Sequence, residues 1–205
     1  LTELNELGMA EDTAVLFTSD HGDMLGDHGL SQKNVPYEPS IRVPMILQWP
    51  GRTVPGTVCE DLVGLTDVLP TLIDELGVPY PADLSPLPGA SLLGREGGGL
   101  AEKRTEYMID YGSGRNRWIC LRTPTHKYVL WADNGTRELY DLLNDPHELT
   151  NIATEAPDLA GDLHDHVLAW ERNHGLPKSF AGDAFRLFPG APLPESDPKG
   201  VSLNE

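Results

Sequence analysis

The chain has 205 residues, a length that suits one domain or part of a larger protein and allows a substantial core to be buried. Its 15 Lys and Arg residues stand against 32 Asp and Glu residues, which gives a formal net charge of −17. Such an acidic surface repels phosphate backbones and anionic lipid headgroups. The composition therefore argues against nucleic-acid binding and against binding to a membrane surface.

The first part of the chain has the pattern of an α/β domain. Residues 4–8 predict a helix that ends at a glycine, and the apolar run 14–17 predicts a strand covered on both faces, as in a parallel α/β sheet. Residues 43–49 predict a second strand. Apolar residues at helical spacing predict a helix over 65–76, which requires Pro70 to lie in its first turn.

The later part predicts an antiparallel sheet and a helix. Short segments with aromatic and β-branched residues recur between turns, at 107–111, 117–122, 127–131 and 138–140. The motif from Asp145 to Glu148 has the form of a capping box and predicts a helical turn. Leu159, Leu163, Val167 and Trp170 form the apolar stripe of a longer helix that ends at Gly175.

These patterns divide the chain into four segments. Residues 1–78 are predicted to belong to an α/β core, 79–100 to a linker loop rich in Pro, Gly and Ser, 101–175 to a C-terminal subdomain, and 176–205 to a Pro-rich tail.

Asp20 and His21 are adjacent at the end of the first predicted strand. Consecutive side chains of a regular strand point to opposite faces, so the two side chains converge only where the strand ends. Gly22 permits a sharp turn there. A carboxylate and an imidazole at this place are able to bind one divalent metal ion together. The tripeptide alone favours the alternative, in which Asp20 caps a turn and His21 is a surface residue.

The surrounding motifs resemble a known family. The segment AVLFTSDHGDMLGDHGLSQKNVPYEPSIRVPMILQWPG closely resembles the metal-site and sulfate-binding segment of the sulfatase catalytic domain, in the alkaline phosphatase superfamily. The resemblance continues through GLTDVLPTLIDELGVPYP and GASLLG to RELYDLLNDPHELTNIA. It implies an α/β fold, namely the end of a doubly wound mixed sheet (alkaline phosphatase/sulfatase-like) followed by a small antiparallel sheet packed with a C-terminal helix.

The resemblance also implies roles for four residues. Asp20 and His21 match two ligands of the catalytic divalent cation, most often Ca²⁺ in sulfatases, although an imidazole also suits Mn²⁺. Lys33 matches the lysine that contacts the sulfate and the leaving-group oxygen, where an ammonium stabilises developing negative charge. His28 is a candidate to line the substrate pocket or donate a proton to the leaving group; the alternative is an ordinary loop histidine.

Other polar residues of the same loop are predicted to have supporting roles. Asp23 and Asp27 are expected in turns or behind the metal ligands rather than on the metal itself. Tyr37, Glu38 and Arg42 are candidates to shape the entrance of the pocket, and an ion pair of Arg42 that fixes the loop is the favoured alternative for that residue.

The nucleophile implied by the resemblance is not in this sequence. Sulfatases use a formylglycine made from the Cys or Ser of a C/S-x-P-x-R motif, and neither Cys59 nor Cys120 lies in such a motif. The chain also begins without Met. We therefore expect a piece of a longer protein, with the formylglycine in a missing N-terminal part, and we expect the piece alone to be inactive.

The resulting hypothesis is part of a sulfatase that hydrolyses a sulfated small molecule or saccharide by a metal-assisted formylglycine mechanism. A phosphonate monoester or phosphodiester hydrolase of the same superfamily is one alternative, and a non-catalytic sulfatase-like remnant is another. A periplasmic or secreted location is favoured over a cytoplasmic one, and the sequence predicts no particular oligomeric state.

Overall fold

The computed structural model describes residues 1–81, 83 and 86–189. The helices are α1 (Thr2–Glu6), α2 (Glu38–Ile41), α3 (Val68–Leu76) and α4 (Pro157–His174). The strands are β1 (Val15–Thr18), β2 (Met45–Gln48), β3 (Tyr107–Tyr111), β4 (Trp118–Arg122), β5 (His126–Trp131), β6 (Arg137–Asp141), β7 (Phe180–Ala181) and β8 (Ala184–Phe185). Both the mixed α/β class and the antiparallel sheet with its C-terminal helix are confirmed.

The chain forms two compact units. The first contains residues 1–20 and 44–105, and the second contains residues 21–43 together with the described chain from residue 106 onward. The segment that carries the predicted loop residues thus belongs to the same unit as the antiparallel sheet. The sequence-based segmentation at residues 78, 100 and 175 stays a prediction, and part of the predicted tail lies outside the described residues.

In the first unit, β1 and β2 pair with each other as an antiparallel ribbon, with Phe17 opposite Ile46. Among the described residues, β1 therefore has an antiparallel neighbour and not the expected parallel one, and one face of the ribbon is uncovered, because Phe17 is 60% exposed and Ile46 is 63% exposed. Side chains alternate along a strand, so one face of the ribbon presents both residues.

Helix α3 (Val68–Leu76) confirms the helix predicted within residues 65–76. Pro70 lies in its first turn, where a missing N–H costs no hydrogen bond, and Gly77 ends it in the left-handed conformation. The fully buried carboxylate of Asp67, just before α3, accepts the backbone N–H of Ala90 at 2.8 Å and two hydrogen bonds from Arg104. These contacts connect the GLTDVLPTL motif to the GASLLG motif. Both motifs therefore contribute to the structure of the first unit.

The second unit is built on the antiparallel sheet β3-β4-β5-β6. One face carries Ile119, Leu121, Tyr128, Leu130 and Leu139, which pack against α4. The predicted apolar stripe of α4 provides this contact, because Leu163 and Val167 are buried in the same cluster and Leu159 and Trp170 pack against it.

An ion pair also connects α4 to this sheet. Arg117, directly before β4, is 2% exposed and donates two hydrogen bonds to Glu171 of α4, at 2.9 and 2.7 Å. It also donates to Asp110 of β3 at 2.9 Å. Because buried charges require such partners, this arrangement fixes the position of α4 along the sheet.

The opposite face of the sheet packs against residues 21–43. Trp118, Cys120 and Val129 form a buried cluster with Ile41 at its edge. The indole N–H of Trp118 donates to the carbonyl of Asn34 at 2.8 Å. The four-stranded sheet therefore supports residues 21–43, the predicted reactive loop that carries His21, His28 and Lys33.

Two local expectations turned out differently. The Asp145–Glu148 motif forms a turn and not a helical turn, because the Glu148 side chain is buried elsewhere instead of reaching back to Asp145. Residues 180–185, within the predicted tail, form the small hairpin β7-β8. Within the part of the chain that the structure describes, no helix combines the length and apolar character that a membrane span requires.

Candidate functional site

The four predicted site residues fall on both sides of a unit boundary. Asp20 belongs to the first unit, at the end of its segment 1–20 and two positions after β1, and its Oδ1 accepts a hydrogen bond from Ser19 Oγ at 3.4 Å. His21, His28 and Lys33 all belong to the second unit. Their geometry within that unit defines the candidate site.

His21 and Lys33 are in direct contact. Lys33 Nζ lies 2.5 Å from His21 Nε2, and His21 Nδ1 lies 2.7 Å from the carbonyl oxygen of Gly22. An ammonium can only donate and a carbonyl can only accept. The neutral imidazole is therefore protonated at Nδ1, and its Nε2 lone pair faces a positive charge.

Gly22 sets the backbone path next to this pair. Its N–H donates to the carbonyl of Ser40 at 2.8 Å, and a Cβ at this position would lie 1.9 Å from the carbonyl oxygen of Pro39. No side chain fits at that distance. The glycine of the Asp-His-Gly motif thus permits the loop to pass close to α2.

His28 is oriented by two contacts of its own. Its ring stacks on Tyr37, with centroids 4.2 Å apart and planes 9° from parallel, and its Nε2 lies 3.0 Å from the carbonyl of His147. Since that carbonyl can only accept, Nε2 carries a proton and Nδ1 is the nitrogen left to other partners. A role for His28 as proton donor stays a prediction.

Tyr37 belongs to a polar group on the loop-facing side of the sheet. Glu138 accepts hydrogen bonds from Tyr37 at 3.4 Å, Tyr140 at 3.1 Å and Trp131 Nε1 at 2.9 Å. Burial, together with the charge of Glu138, raises the pKa of Tyr37 to about 12. Burial also raises the pKa of Glu138. Tyr37 is therefore a neutral hydroxyl at physiological pH and a rigid platform for His28.

An open groove of about 510 Å³ lies beside His28 within the second unit. Its lining combines charged, imidazole and apolar side chains, from Asp27, His28, Glu38, Pro39, Arg42, Pro146, His147 and Leu149. None of the ion pairs found among the described residues involves Arg42. The expected ion pair of Arg42 is therefore not seen, although its charge contributes to a lower pKa of Glu38.

Sequence reasoning missed two residues of this region. Lys127 and Glu148 are almost fully buried and paired with each other beneath the loop. The one local signal is the lysine directly before the apolar part of β5, because a buried lysine requires a partner. Nothing near it in the sequence identifies that partner, which lies 21 positions further on.

Comparison with known proteins shows the family to which the chain belongs. The family model for the C-terminal region of N-sulphoglucosamine sulphohydrolase matches residues 26–172. The mixed α/β fold, with its antiparallel four-stranded sheet and C-terminal helix, is similar to solved structures of sulfatases with the alkaline phosphatase-like fold. Within that class, the chain belongs to the sulfatase family.

Curated relatives agree with this assignment. An arylsulfatase of Clostridium perfringens is 35% identical over 162 residues, which cover 74% of this chain and 32% of the relative. Arylsulfatase K of Bos taurus is 33% identical over 168 residues, which cover 78% of this chain and 31% of the relative. The chain thus spans about a third of the length of the curated relatives it matches.

Solved structures include relatives of both predicted activities. A protein solved in complex with its substrate D-glucosamine-2-N,6-O-disulfate superposes with a TM-score of 0.73 at 28% identity, covering 84% of this chain and 36% of that one. The phosphonate monoester hydrolase of Agrobacterium radiobacter superposes with a TM-score of 0.72 at 27% identity, covering 84% and 38%.

Proposed function

We propose that this chain is the C-terminal part of a sulfatase that hydrolyses sulfate esters. The contact between His21 Nε2 and Lys33 Nζ carries the proposal. It brings together, within one unit, a nitrogen that can bind a metal and an ammonium that can bind an oxyanion. Because the chain belongs to the sulfatase family, the reaction in which we propose a role for this pair is the hydrolysis of sulfate esters.

The proposed metal ligands are the consecutive residues Asp20 and His21. The donor set fits a divalent cation, because the Nδ1–H···O=C bond to Gly22 leaves Nε2 unprotonated and directed at a positive charge. We propose Ca²⁺, with Mn²⁺ as the second candidate. Among the described residues, no group of three or more His, Cys, Asp and Glu side chains forms a metal site. Further ligands and the formylglycine nucleophile are proposed to come from polypeptide outside this sequence.

Lys33 is proposed to act on the leaving group. When the sulfate ester breaks, negative charge develops on the bridging oxygen, and a positioned ammonium stabilises that charge. Lys33 is exposed and its ammonium is oriented by His21, so it is accessible to a substrate. A metal ion held by His21 Nε2 would replace the Lys33 contact there and would leave the ammonium of Lys33 to bind the sulfate.

The proposed substrate is a sulfated saccharide. The groove beside His28 combines the apolar surfaces of Pro39 and Leu149 with the polar groups of Asp27 and Arg42. Such a mixed lining suits a sugar, whose C–H faces pack on apolar side chains while its hydroxyls and anionic substituents bind polar ones. The similar structure solved with a sulfated glucosamine substrate is consistent with this class.

The test is hydrolysis by the intact protein, purified in the length that its gene encodes, with an aryl sulfate and a phenylphosphonate monoester as competing substrates. The proposal expects a higher kcat/KM for the sulfate ester, and loss of activity when a chelator removes the divalent cation. Preference for the phosphonate ester supports the alternative activity, which the similarity to a phosphonate monoester hydrolase favours. Absence of both activities contradicts the enzyme proposal.

Lys33→Ala in the same protein tests the assigned role. We expect kcat to fall by about 10²–10³, the usual cost of removing one group that stabilises an oxyanion. The free energy of unfolding should change by less than about 0.5 kcal/mol, because Lys33 is exposed. Lys103→Ala removes another exposed lysine outside the loop and should change neither quantity. A Lys33 variant that unfolds early with normal turnover would assign the residue a structural role.

A further inference from the structure

A buried cluster of charges lies beneath the predicted reactive loop. Lys127 of β5 has no exposed surface, and its Nζ lies 2.8 Å from Glu38 Oε1 and 2.5 Å from Glu148 Oε1. It also donates to the carbonyl of Pro36 at 3.0 Å. Glu148 Oε1 approaches Lys127 without the alignment of a hydrogen bond, so that contact is chiefly ionic.

The opposite charges in this cluster stabilise one another. Burial alone raises the pKa of Glu38, but the nearby charges of Lys127 and Arg122 outweigh it, so the pKa lies below its usual value and the carboxyl is ionised. Lys127 Nζ thus lies between the carboxyl groups of Glu38 and Glu148. Removing one partner of such a buried group leaves the others uncompensated.

Glu148 also binds the loop backbone directly. Its Oε2 accepts the backbone N–H of Glu38 at 2.6 Å. Glu148 has φ of 58°, a left-handed conformation that is unfavourable for a residue with a side chain. The residue is held in this conformation by a buried carboxylate with partners on two different segments, and such local strain is typical of functional sites.

Together with its neighbour, Glu148 fixes the loop on both sides of Lys33. The carbonyl of His147 accepts a hydrogen bond from His28, five residues before Lys33. The carboxylate of Glu148 accepts one from Glu38, five residues after it. Two consecutive residues of the Asp145–Glu148 turn thus anchor both flanks of the segment that brings Lys33 to His21.

We propose that Glu148 is a positioning residue for the sulfatase reaction: through the Glu38 N–H and the Lys127 ammonium it fixes the loop that presents Lys33 to His21. The inference rests on the proposed function for the reaction that it names. The anchoring of the loop rests on the contacts alone. A displacement of about 1 Å in a reacting group commonly lowers the rate about 100-fold. Loss of the anchor should therefore lower turnover.

Glu171 is a matched control in the same unit. It too is a buried carboxylate paired with a buried cation, since Arg117 donates to both its oxygens. This cation lies directly before β4 and also donates to Asp110 of β3, so the Glu171 pair is connected to the sheet and not to the loop. Replacing either carboxylate should destabilise the unit, but only the Glu148 substitution removes an anchor of the segment around Lys33.

The experiment compares Glu148→Ala, Glu148→Gln and Glu171→Gln in the intact protein. It measures kcat and KM for a sulfate ester, the melting temperature, and hydrogen exchange of a peptide covering residues 33–38. We expect Glu148→Ala to lower kcat by about 10- to 100-fold with little change in KM, and to speed amide exchange in that peptide. Glu171→Gln should lower the melting temperature while kcat and the exchange of residues 33–38 stay as in the wild type.

The alternative outcomes are distinct. If both Glu148 substitutions lower only the melting temperature, as Glu171→Gln does, Glu148 is structural and the proposal is overturned. If Glu148→Ala does not fold, Glu148→Gln decides, because it keeps the size of the side chain and removes the charge that holds Lys127. If the wild-type protein has no sulfatase activity, the proposed function fails, and the exchange of residues 33–38 alone decides whether Glu148 anchors the loop.

Discussion

Gly22 shows how one missing side chain positions a functional residue. Its backbone passes so close to α2 that a Cβ would lie 1.9 Å from the carbonyl oxygen of Pro39. Gly22→Ala therefore forces the backbone next to His21 to move. We expect the free energy of unfolding to fall by about 1–3 kcal/mol, as for other overpacked sites, with faster hydrogen exchange across residues 21–43. Chemical denaturation and exchange mass spectrometry measure the two effects.

Gly161→Ala is the control for this prediction. Gly161 lies inside α4, and a Cβ there meets no atom within 4 Å. Alanine is the better helix former, so this substitution should stabilise the protein by about 0.5–1 kcal/mol. If Gly22→Ala were tolerated as well as Gly161→Ala, the close approach to Pro39 would not constrain the loop.

For individual residues, the sequence predicts contacts between positions that are close in the chain and misses contacts between positions that are remote. The Asp145–Glu148 spacing fits a capping box, and local reasoning has no reason to reject it. The structure instead places the Glu148 carboxylate on Lys127 and on the N–H of Glu38, 21 and 110 positions away. The roles of Asp20, His21, His28 and Lys33 came from the family resemblance and stay predictions.

His164 connects three elements of the second unit and makes its stability depend on pH. Arg137 at the start of β6 donates to His164 Nε2 at 3.1 Å. Because Nε2 accepts, Nδ1 carries the proton and donates to the hydroxyl of Tyr128 on β5 at 2.9 Å. Burial and the positive charge of Arg137 lower the pKa of His164. The folded state therefore favours the neutral imidazole.

The sign of the pH effect follows from that direction. A histidine whose pKa is lower in the folded state stabilises the protein above its unfolded pKa of about 6.5, and this contribution is lost as the pH falls through the folded pKa. We expect the free energy of unfolding to decrease between pH 7.5 and 5, and His164→Gln to show a shallower decrease. Denaturant titrations at each pH provide the measurement.

His147→Gln is the matched control, because the His147 side chain is exposed. Its pH dependence should follow that of the wild type. If His164→Gln and the wild type lost stability in parallel as the pH fell, the pairing of His164 with Arg137 and Tyr128 would not be the source of the effect.

The elements themselves were predictable where a periodic pattern determines them. Helices α3 and α4 and the four strands of the antiparallel sheet follow the predicted segments within a few residues, because each buries one face and shows it in its spacing. The pairing of β1 with β2 was not predictable in the same way. A short apolar run has no period, so it does not tell on which side or in which direction another strand pairs.

At the scale of the whole molecule, the β1-β2 ribbon of the first unit exposes an apolar face, and α3 exposes apolar side chains as well. Phe17 and Ile46 are opposite each other on the ribbon at 60% and 63% exposure, and Leu69 and Leu76 of α3 are 51% and 65% exposed. A two-stranded ribbon is marginally stable by itself, and an exposed apolar patch usually marks a contact surface. The curated relatives are about three times as long as this chain. We therefore expect further polypeptide of an intact sulfatase to cover this surface.

The double substitution Phe17→Thr and Ile46→Thr tests this expectation because its effect should reverse sign with context. In the 205-residue chain alone, it should reduce self-association and the binding of a hydrophobic dye, since it removes exposed apolar area. In the intact protein it should lower the melting temperature, because each buried side chain of this kind contributes about 1.5–3 kcal/mol. Leu143→Thr, at a site 68% exposed in the second unit, should leave the melting temperature of both forms unchanged. Equal melting temperatures of the intact protein with and without the double substitution would mean that this face stays exposed to solvent.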